Sequence, residues 1–112
     1  QFFSSLQAHS DVAADFLAAL GKLGEFEHRH GEAHYAAPYI VTAGVVFCGA
    51  AGMSDTYWRL RGKDIEVALA TGATRAPIGP EWVVIRLFRA DWPRANLPFW
   101  ALRAYDYART GE

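Results

Sequence analysis

The feature that most constrains this fold is a largely apolar run from Tyr39 to Phe47. The run is rich in β-branched and aromatic residues and has no polar face, which predicts one strand covered on both sides. A buried helix over 32–50 is the alternative, because the period of a short apolar run does not separate the two. In either case, other elements must pack on two sides of this segment.

An amphipathic helix is predicted before this run, from Ser10 to about His28, because its apolar residues recur three and four positions apart. Ser10 is a good N-cap residue. Gly21 and Gly24 weaken the second half of the helix by roughly 1 kcal/mol each, so an early end after Leu20 stays open.

Three further elements are predicted between Thr56 and Ala90. A hairpin is predicted to join Thr56–Arg61 to Asp64–Thr71. In its second arm the large apolar residues Ile65, Val67 and Leu69 alternate with smaller or charged residues. The stretch 72–80 contains glycine and two prolines and reads as a loop, and 81–90 follows as a strand with two apolar faces.

An aromatic helix is predicted at the end of the chain, over Phe99–Arg109, with Pro98 in its first turn and Asn96 as a cap after a turn at Trp92–Arg94. Strands joined by short connections pair as antiparallel neighbours, and terminal helices then cover the sheet. The predicted fold class is therefore α+β: one domain over residues 1–112, with a four-stranded antiparallel meander between an N-terminal and a C-terminal helix.

Composition and charge exclude several kinds of partner. The net charge of −1 provides no global field for nucleic acid. No apolar run reaches the roughly 18 residues of a membrane span, so no membrane partner is expected. Cys48 is the only cysteine, which excludes an intrachain disulfide and favours a buried thiol and a cytoplasmic location.

A cluster of histidines and carboxylates lies between Glu25 and His34. In an extended chain the side chains of His28, His30, Glu32 and His34 point to one side, which makes them candidate metal ligands. The competing interpretation is structural: the first two histidines lie in solvent at the end of the first helix, where positive charge is favourable, and His34 packs at the sheet edge.

A second group of polar side chains lies among aromatic residues on two predicted strands, a common arrangement at the mouth of a ligand pocket. Ordinary hairpin chemistry is the alternative, with Arg86 paired to Asp64 or Glu66 on a neighbouring strand. The candidate ligand-binding residues are Asp55, Tyr57, Trp58, Arg59, Trp82 and Arg86.

The aromatic content of 14% is more than one small core easily hides, which favours an aromatic pocket for a small-molecule ligand. The alternative is a homo-oligomer, in its simplest form a dimer, with a seam formed by Phe99, Trp100, Tyr105 and Tyr107. Neither a nucleotide-binding glycine loop nor a serine nucleophile motif occurs, so no cofactor is predicted. A small enzyme with a pocket stays an alternative to a binding protein, and the sequence does not identify its catalytic residues.

Overall fold

The computed structural model describes residues 2–32, 34–87 and 97–111. These residues form an α+β structure, as the sequence predicts. The elements in chain order are a 3₁₀ turn (Phe3–Ser5), α1 (Ser10–Ala18), β1 (Glu27–His30), β2 (Pro38–Thr42), β3 (Val45–Ala51), β4 (Asp55–Arg59), α2 (Gly62–Ala70), β5 (Thr74–Arg75), β6 (Trp82–Arg86) and α3 (Leu97–Thr110).

The described strands form one six-stranded antiparallel sheet in the order β1-β2-β3-β4-β6-β5. The predicted four-stranded meander is therefore wrong in its strand count, although β1 to β4 do follow one another as a meander. The chain then leaves the sheet through α2 and returns through β5 and β6. None of the described helices is long and apolar enough to cross a membrane.

The first helix ends far earlier than the predicted limit at His28. α1 stops at Ala18, and the following residues turn before entering β1. Gly24 lies in this turn, where an added Cβ would come within 2.6 Å of the Tyr105 hydroxyl. Close approach to α3 therefore explains this glycine, and the early end left open by the glycines is the observed one.

The N-cap of α1 is His9, one residue before the predicted Ser10. The His9 Nδ1 atom accepts a hydrogen bond from the Asp11 backbone N–H at 3.1 Å. An imidazole thus satisfies one of the free amides of the first turn, which is usually done by a hydroxyl or carboxylate.

The apolar run from Tyr39 to Phe47 is a hairpin and not one strand. Ala43 and Gly44 both have positive φ angles, 52° and 78°, as a two-residue type I′ turn requires. Because alanine rarely occupies the first position of such a turn, the pair Ala43-Gly44 does not mark the turn in the sequence. The alternative of a buried helix over this segment is also wrong.

The segment predicted as the second arm of a hairpin is the helix α2. Its alternation of Ile65, Val67 and Leu69 resembles a strand, but the buried residues of the helix are Asp64, Ile65 and Ala68. Val67 is 52% exposed. The helical period therefore determines which side chains enter the core.

The last two predicted elements are present. β6 covers Trp82–Arg86 within the predicted strand, and α3 contains the predicted helix with Pro98 in its first turn. The end of the predicted strand, the turn at Trp92–Arg94 and the Asn96 cap lie outside the described residues.

The strand register separates the sheet into two faces. One face carries Cys48, Trp58 and Val83, which are fully buried, and Phe16 of α1 packs on Trp58 with ring centroids 5.5 Å apart. Burial raises the pKa of the Cys48 thiol well above its ordinary value, so this cysteine is an inert core residue. The opposite face carries Tyr39, Tyr57 and Trp82 and is called the aromatic face below.

Candidate functional site

The N-terminal residues cover the aromatic face. The Phe3 ring lies 5.9 Å from Tyr39, 5.5 Å from Tyr57 and 6.0 Å from Trp82, measured between ring centroids. Gly49 makes this possible, because an added Cβ there would lie 2.6 Å from the Phe3 ring. A glycine in the centre of the sheet thus lets an aromatic side chain from the N-terminal segment approach the sheet closely.

The chain after Phe3 runs along the end of the sheet. Gln7 forms an isolated bridge with Ala36 and Ala8 forms one with Gly52. The Gly52 backbone N–H donates to the Gln7 carbonyl at 2.7 Å, and the His9 N–H donates to the Gly52 carbonyl at 2.8 Å. Backbone hydrogen bonds therefore hold this segment between the residues before β2 and the turn after β3.

A cleft of about 760 Å³ lies between this segment and the β3–β4 turn. Most of its wall is apolar or aromatic, and Met53 on its rim is 71% exposed. Such a volume is within the usual range for small-molecule sites. The residues that line the cleft are Phe2, Leu6, Gln7, Ala8, His9, Ser10, Tyr35, Ala51, Gly52, Met53, Asp55 and Tyr57.

Asp55 and Tyr57 supply polar atoms to this cleft from neighbouring positions on one face of β4. Arg86 on β6 donates from its Nε to Asp55 Oδ1 at 3.2 Å, so the carboxylate is neutralised by an ion pair. Burial, and then the charge of Asp55, raise the pKa of the Tyr57 hydroxyl, while Arg86 opposes the shift. The phenol therefore stays protonated, and none of the described residues forms a hydrogen bond with it.

The predicted ligand-binding residues divide between different places. Asp55 and Tyr57 line the cleft and Arg86 pairs with Asp55. The proposed pairing of Arg86 with Asp64 or Glu66 is wrong, since both acidic residues lie on the helix α2 rather than on a neighbouring strand.

The remaining three candidates lie away from the cleft. Trp82 is on the aromatic face beneath Phe3, and Trp58 is on the opposite face, where its indole N–H donates to Thr56 Oγ1 at 2.9 Å. Arg59 lies 4.3 Å above the Tyr107 ring and 3.5 Å from Glu81, measured between Nη2 and Oε1. All three therefore have structural contacts.

Tyr107 and Glu81 fix α3 to the sheet. The Tyr107 hydroxyl donates to a Glu81 carboxylate oxygen, and this hydrogen bond is the main cause of the raised pKa of Tyr107, with burial second. Arg61 continues the contact by pairing with Asp106 at 3.3 Å. Because these charges are mutually satisfied, we assign the cluster a structural role.

Tyr35 is the most unusual residue of the cleft, and sequence reasoning missed it. Its φ angle is +55°, a left-handed conformation that costs a non-glycine residue of order 1 kcal/mol, and its side chain lies largely in solvent. It lines both the cleft and a second cavity. No local sequence signal marks this strain.

The predicted metal cluster is brought together only in part. His28, His30 and Glu32 line the second cavity, of about 470 Å³, while the His34 ring packs on Tyr35 with centroids 4.1 Å apart. Burial, and then the charge of His30, lower the pKa of His28. Across residues 2–32, 34–87 and 97–111, no group of three or more histidine, cysteine or acidic side chains is placed to hold a metal ion.

Comparison with known proteins adds no relative: no family model, no curated protein and no solved structure matches this chain.

Proposed function

We propose that this protein binds a small, neutral, largely apolar molecule that carries a hydroxyl group. The observation that carries the proposal is the polar pair in the cleft: the Tyr57 hydroxyl, which has no hydrogen-bond partner among the described residues, beside a carboxylate already neutralised by Arg86. A ligand that fills the cleft displaces water from this hydroxyl, and a polar group that loses water needs a new hydrogen bond, so the protonated phenol favours a ligand that accepts one.

The ligand class follows from charge and shape. Asp55 still has a carboxylate oxygen that is not bound to Arg86, and it can accept a hydrogen bond from the ligand. A hydroxyl group both donates and accepts, so it matches Asp55 and Tyr57 together. Phe2, whose ring lies 5.4 Å from Tyr57, supplies an aromatic wall for a ring-shaped ligand.

The test is binding of simple phenols to the wild-type chain and to Tyr57→Phe, measured by heteronuclear NMR titration. Loss of one hydrogen bond of about 0.5–1.5 kcal/mol weakens binding roughly 2- to 12-fold. Tyr39→Phe is the matched control, because Tyr39 lies on the same face without lining the cleft. Equal affinity in all three proteins would refute the role of Tyr57.

Self-association is the second candidate function. Of the aromatic residues predicted to form a seam on α3, Trp100 is buried and Tyr105 donates to the Glu25 carbonyl at 3.2 Å. The exposed apolar side chains of this helix are Phe99 and Leu102, 48% and 59% exposed and three residues apart on one side. Sedimentation equilibrium of wild type and Leu102→Glu tests this. A wild-type dimer that dissociates in the variant supports it, and a wild-type protein that stays monomeric over a roughly 100-fold range of concentrations refutes it.

A further inference from the structure

A pair of histidines lies outside the proposed cleft, on β1 at the edge of the sheet. His28 and His30 are two residues apart on a strand, so their side chains lie on the same face. Their ring centroids are 6.0 Å apart, and both rings line the second cavity. Two exposed imidazoles thus share one solvent-accessible space.

The local backbone fixes the tautomer of His30. Its Nδ1 lies 2.7 Å from the Gly31 carbonyl oxygen. A carbonyl only accepts hydrogen bonds, so Nδ1 carries the proton and Nε2 is left with a free lone pair. Histidines that bind metal ions are commonly oriented in this way, with the second ring nitrogen donating to a backbone carbonyl.

The separation of the rings matches a shared metal ion. A nitrogen ligand lies about 2.0–2.1 Å from zinc, which places each ring centroid about 3.2 Å from the metal. Two rings on one ion are then about 5.2 Å apart at a tetrahedral angle and at most about 6.4 Å apart when opposed. The observed 6.0 Å lies between these limits, so the spacing of the two rings is that of a pair that shares one ion.

We infer that His28 and His30 together bind one divalent transition metal ion, with water in its remaining positions. Imidazole nitrogens suit Cu²⁺, Ni²⁺ and Zn²⁺, and affinity follows the order in which Cu²⁺ is tightest. Mg²⁺ and Ca²⁺ require oxygen ligands and do not bind here. Glu32 lines the same cavity but does not complete a group of three around one ion, so the two imidazoles are the protein ligands.

The experiment is isothermal titration of the full chain with Cu²⁺, Ni²⁺ or Zn²⁺ alone, accompanied by NMR of the histidine ring protons. We expect one equivalent of metal, with the signals of His28 and His30 shifted by Zn²⁺ and broadened by Cu²⁺. The variant His28→Ala/His30→Ala loses this site, with affinity lower by about tenfold or more. His34→Ala and His9→Ala are matched controls that keep it, and circular dichroism verifies that each variant is folded.

Three results overturn the inference: no binding by wild type, equal affinity in the double alanine variant, or loss of binding in His34→Ala. The single variants His28→Ala and His30→Ala each lose most of the affinity if the ion is shared. If either single variant binds like wild type, the ion is not held by the pair, and the inference is wrong.

Discussion

Replacing Gly49 by alanine tests how closely the N-terminal segment is fitted to the aromatic face. The added Cβ would lie 2.6 Å from the Phe3 ring, whereas ordinary contact begins at 3.4 Å. The ring would have to withdraw by roughly 0.8 Å, and three aromatic neighbours oppose that movement. Phe3 is only 1% exposed, so no open space accepts it.

The change in the free energy of unfolding caused by Gly49→Ala has two opposing contributions. Overpacking a core typically costs about 1–3 kcal/mol, and replacing glycine with alanine recovers about 0.4–1 kcal/mol by restricting the unfolded chain. We expect Gly49→Ala to lower the free energy of unfolding by about 1–2 kcal/mol, measured by urea denaturation with tryptophan fluorescence. Gly62→Ala is the control, because an added Cβ there meets nothing within 4 Å and the residue begins a helix.

A double-mutant cycle identifies the cause. Phe3→Ala alone should cost about 3–5 kcal/mol, because it leaves a cavity under the N-terminal segment. In that background Gly49→Ala should be neutral or slightly stabilising, since the ring it would strike is gone. If Gly49→Ala costs the same with and without the Phe3 ring, the contact between them is not the reason for the glycine.

Three further predictions concern the turn, the cleft and the last helix. Ala43→Asn should raise the free energy of unfolding by about 0.5–1 kcal/mol in urea denaturation, because asparagine tolerates the positive φ of this type I′ turn better than alanine; a loss of stability would contradict the turn assignment. The raised pKa of Tyr57 means that its contribution to stability is complete below its ordinary pKa of 10.0 and is lost as the pH rises through the higher folded value. Unfolding measured on both sides of pH 10 should therefore show a smaller alkaline loss in Tyr57→Phe than in wild type, and an equal loss would speak against burial of the phenol. Tyr107→Phe should cost about 1–2 kcal/mol by removing the hydrogen bond to Glu81, whereas an unchanged midpoint would show that α3 is held without it.

The elements that the sequence predicts well are those whose apolar residues follow a single period, either that of a helix or that of a strand. α3 and β6 have a single clear pattern, and both were found where they were predicted. α2 was missed because Ile65, Val67 and Leu69 alternate like a strand, while the burial of Ile65 and Ala68 follows a helical spacing. For a segment this short, the contacts with the rest of the protein decide between the two periods.

The sequence predicts the candidate site only where its residues lie close together on one strand, because the alternation of side chains then decides which of them share a face. Asp55 and Tyr57 share a face because they are two residues apart, whereas the adjacent Tyr57 and Trp58 must point to opposite faces, so both cannot line one cleft. The other walls come from Phe2 and Tyr35, which are distant in sequence from β4. The bridges of Gln7 with Ala36 and of Ala8 with Gly52 hold the segments of these two residues beside the cleft. No spacing rule within one segment contains that information.

The central claim, that the cleft binds a neutral hydroxylated molecule, can be tested with a natural reporter. Met53 is the only methionine of the sequence and lies on the rim of the cleft, so methyl-labelled methionine gives a signal that Met53→Leu assigns. The measurement is a titration of this methyl signal with para-cresol and with toluene, which lacks the hydroxyl, in wild type and Tyr57→Phe. We predict saturable shifts, with cresol bound about 2- to 12-fold more tightly than toluene in wild type and no such preference in the variant. Cresol binding that leaves the Met53 signal unmoved, or a preference that persists without the Tyr57 hydroxyl, would contradict the account.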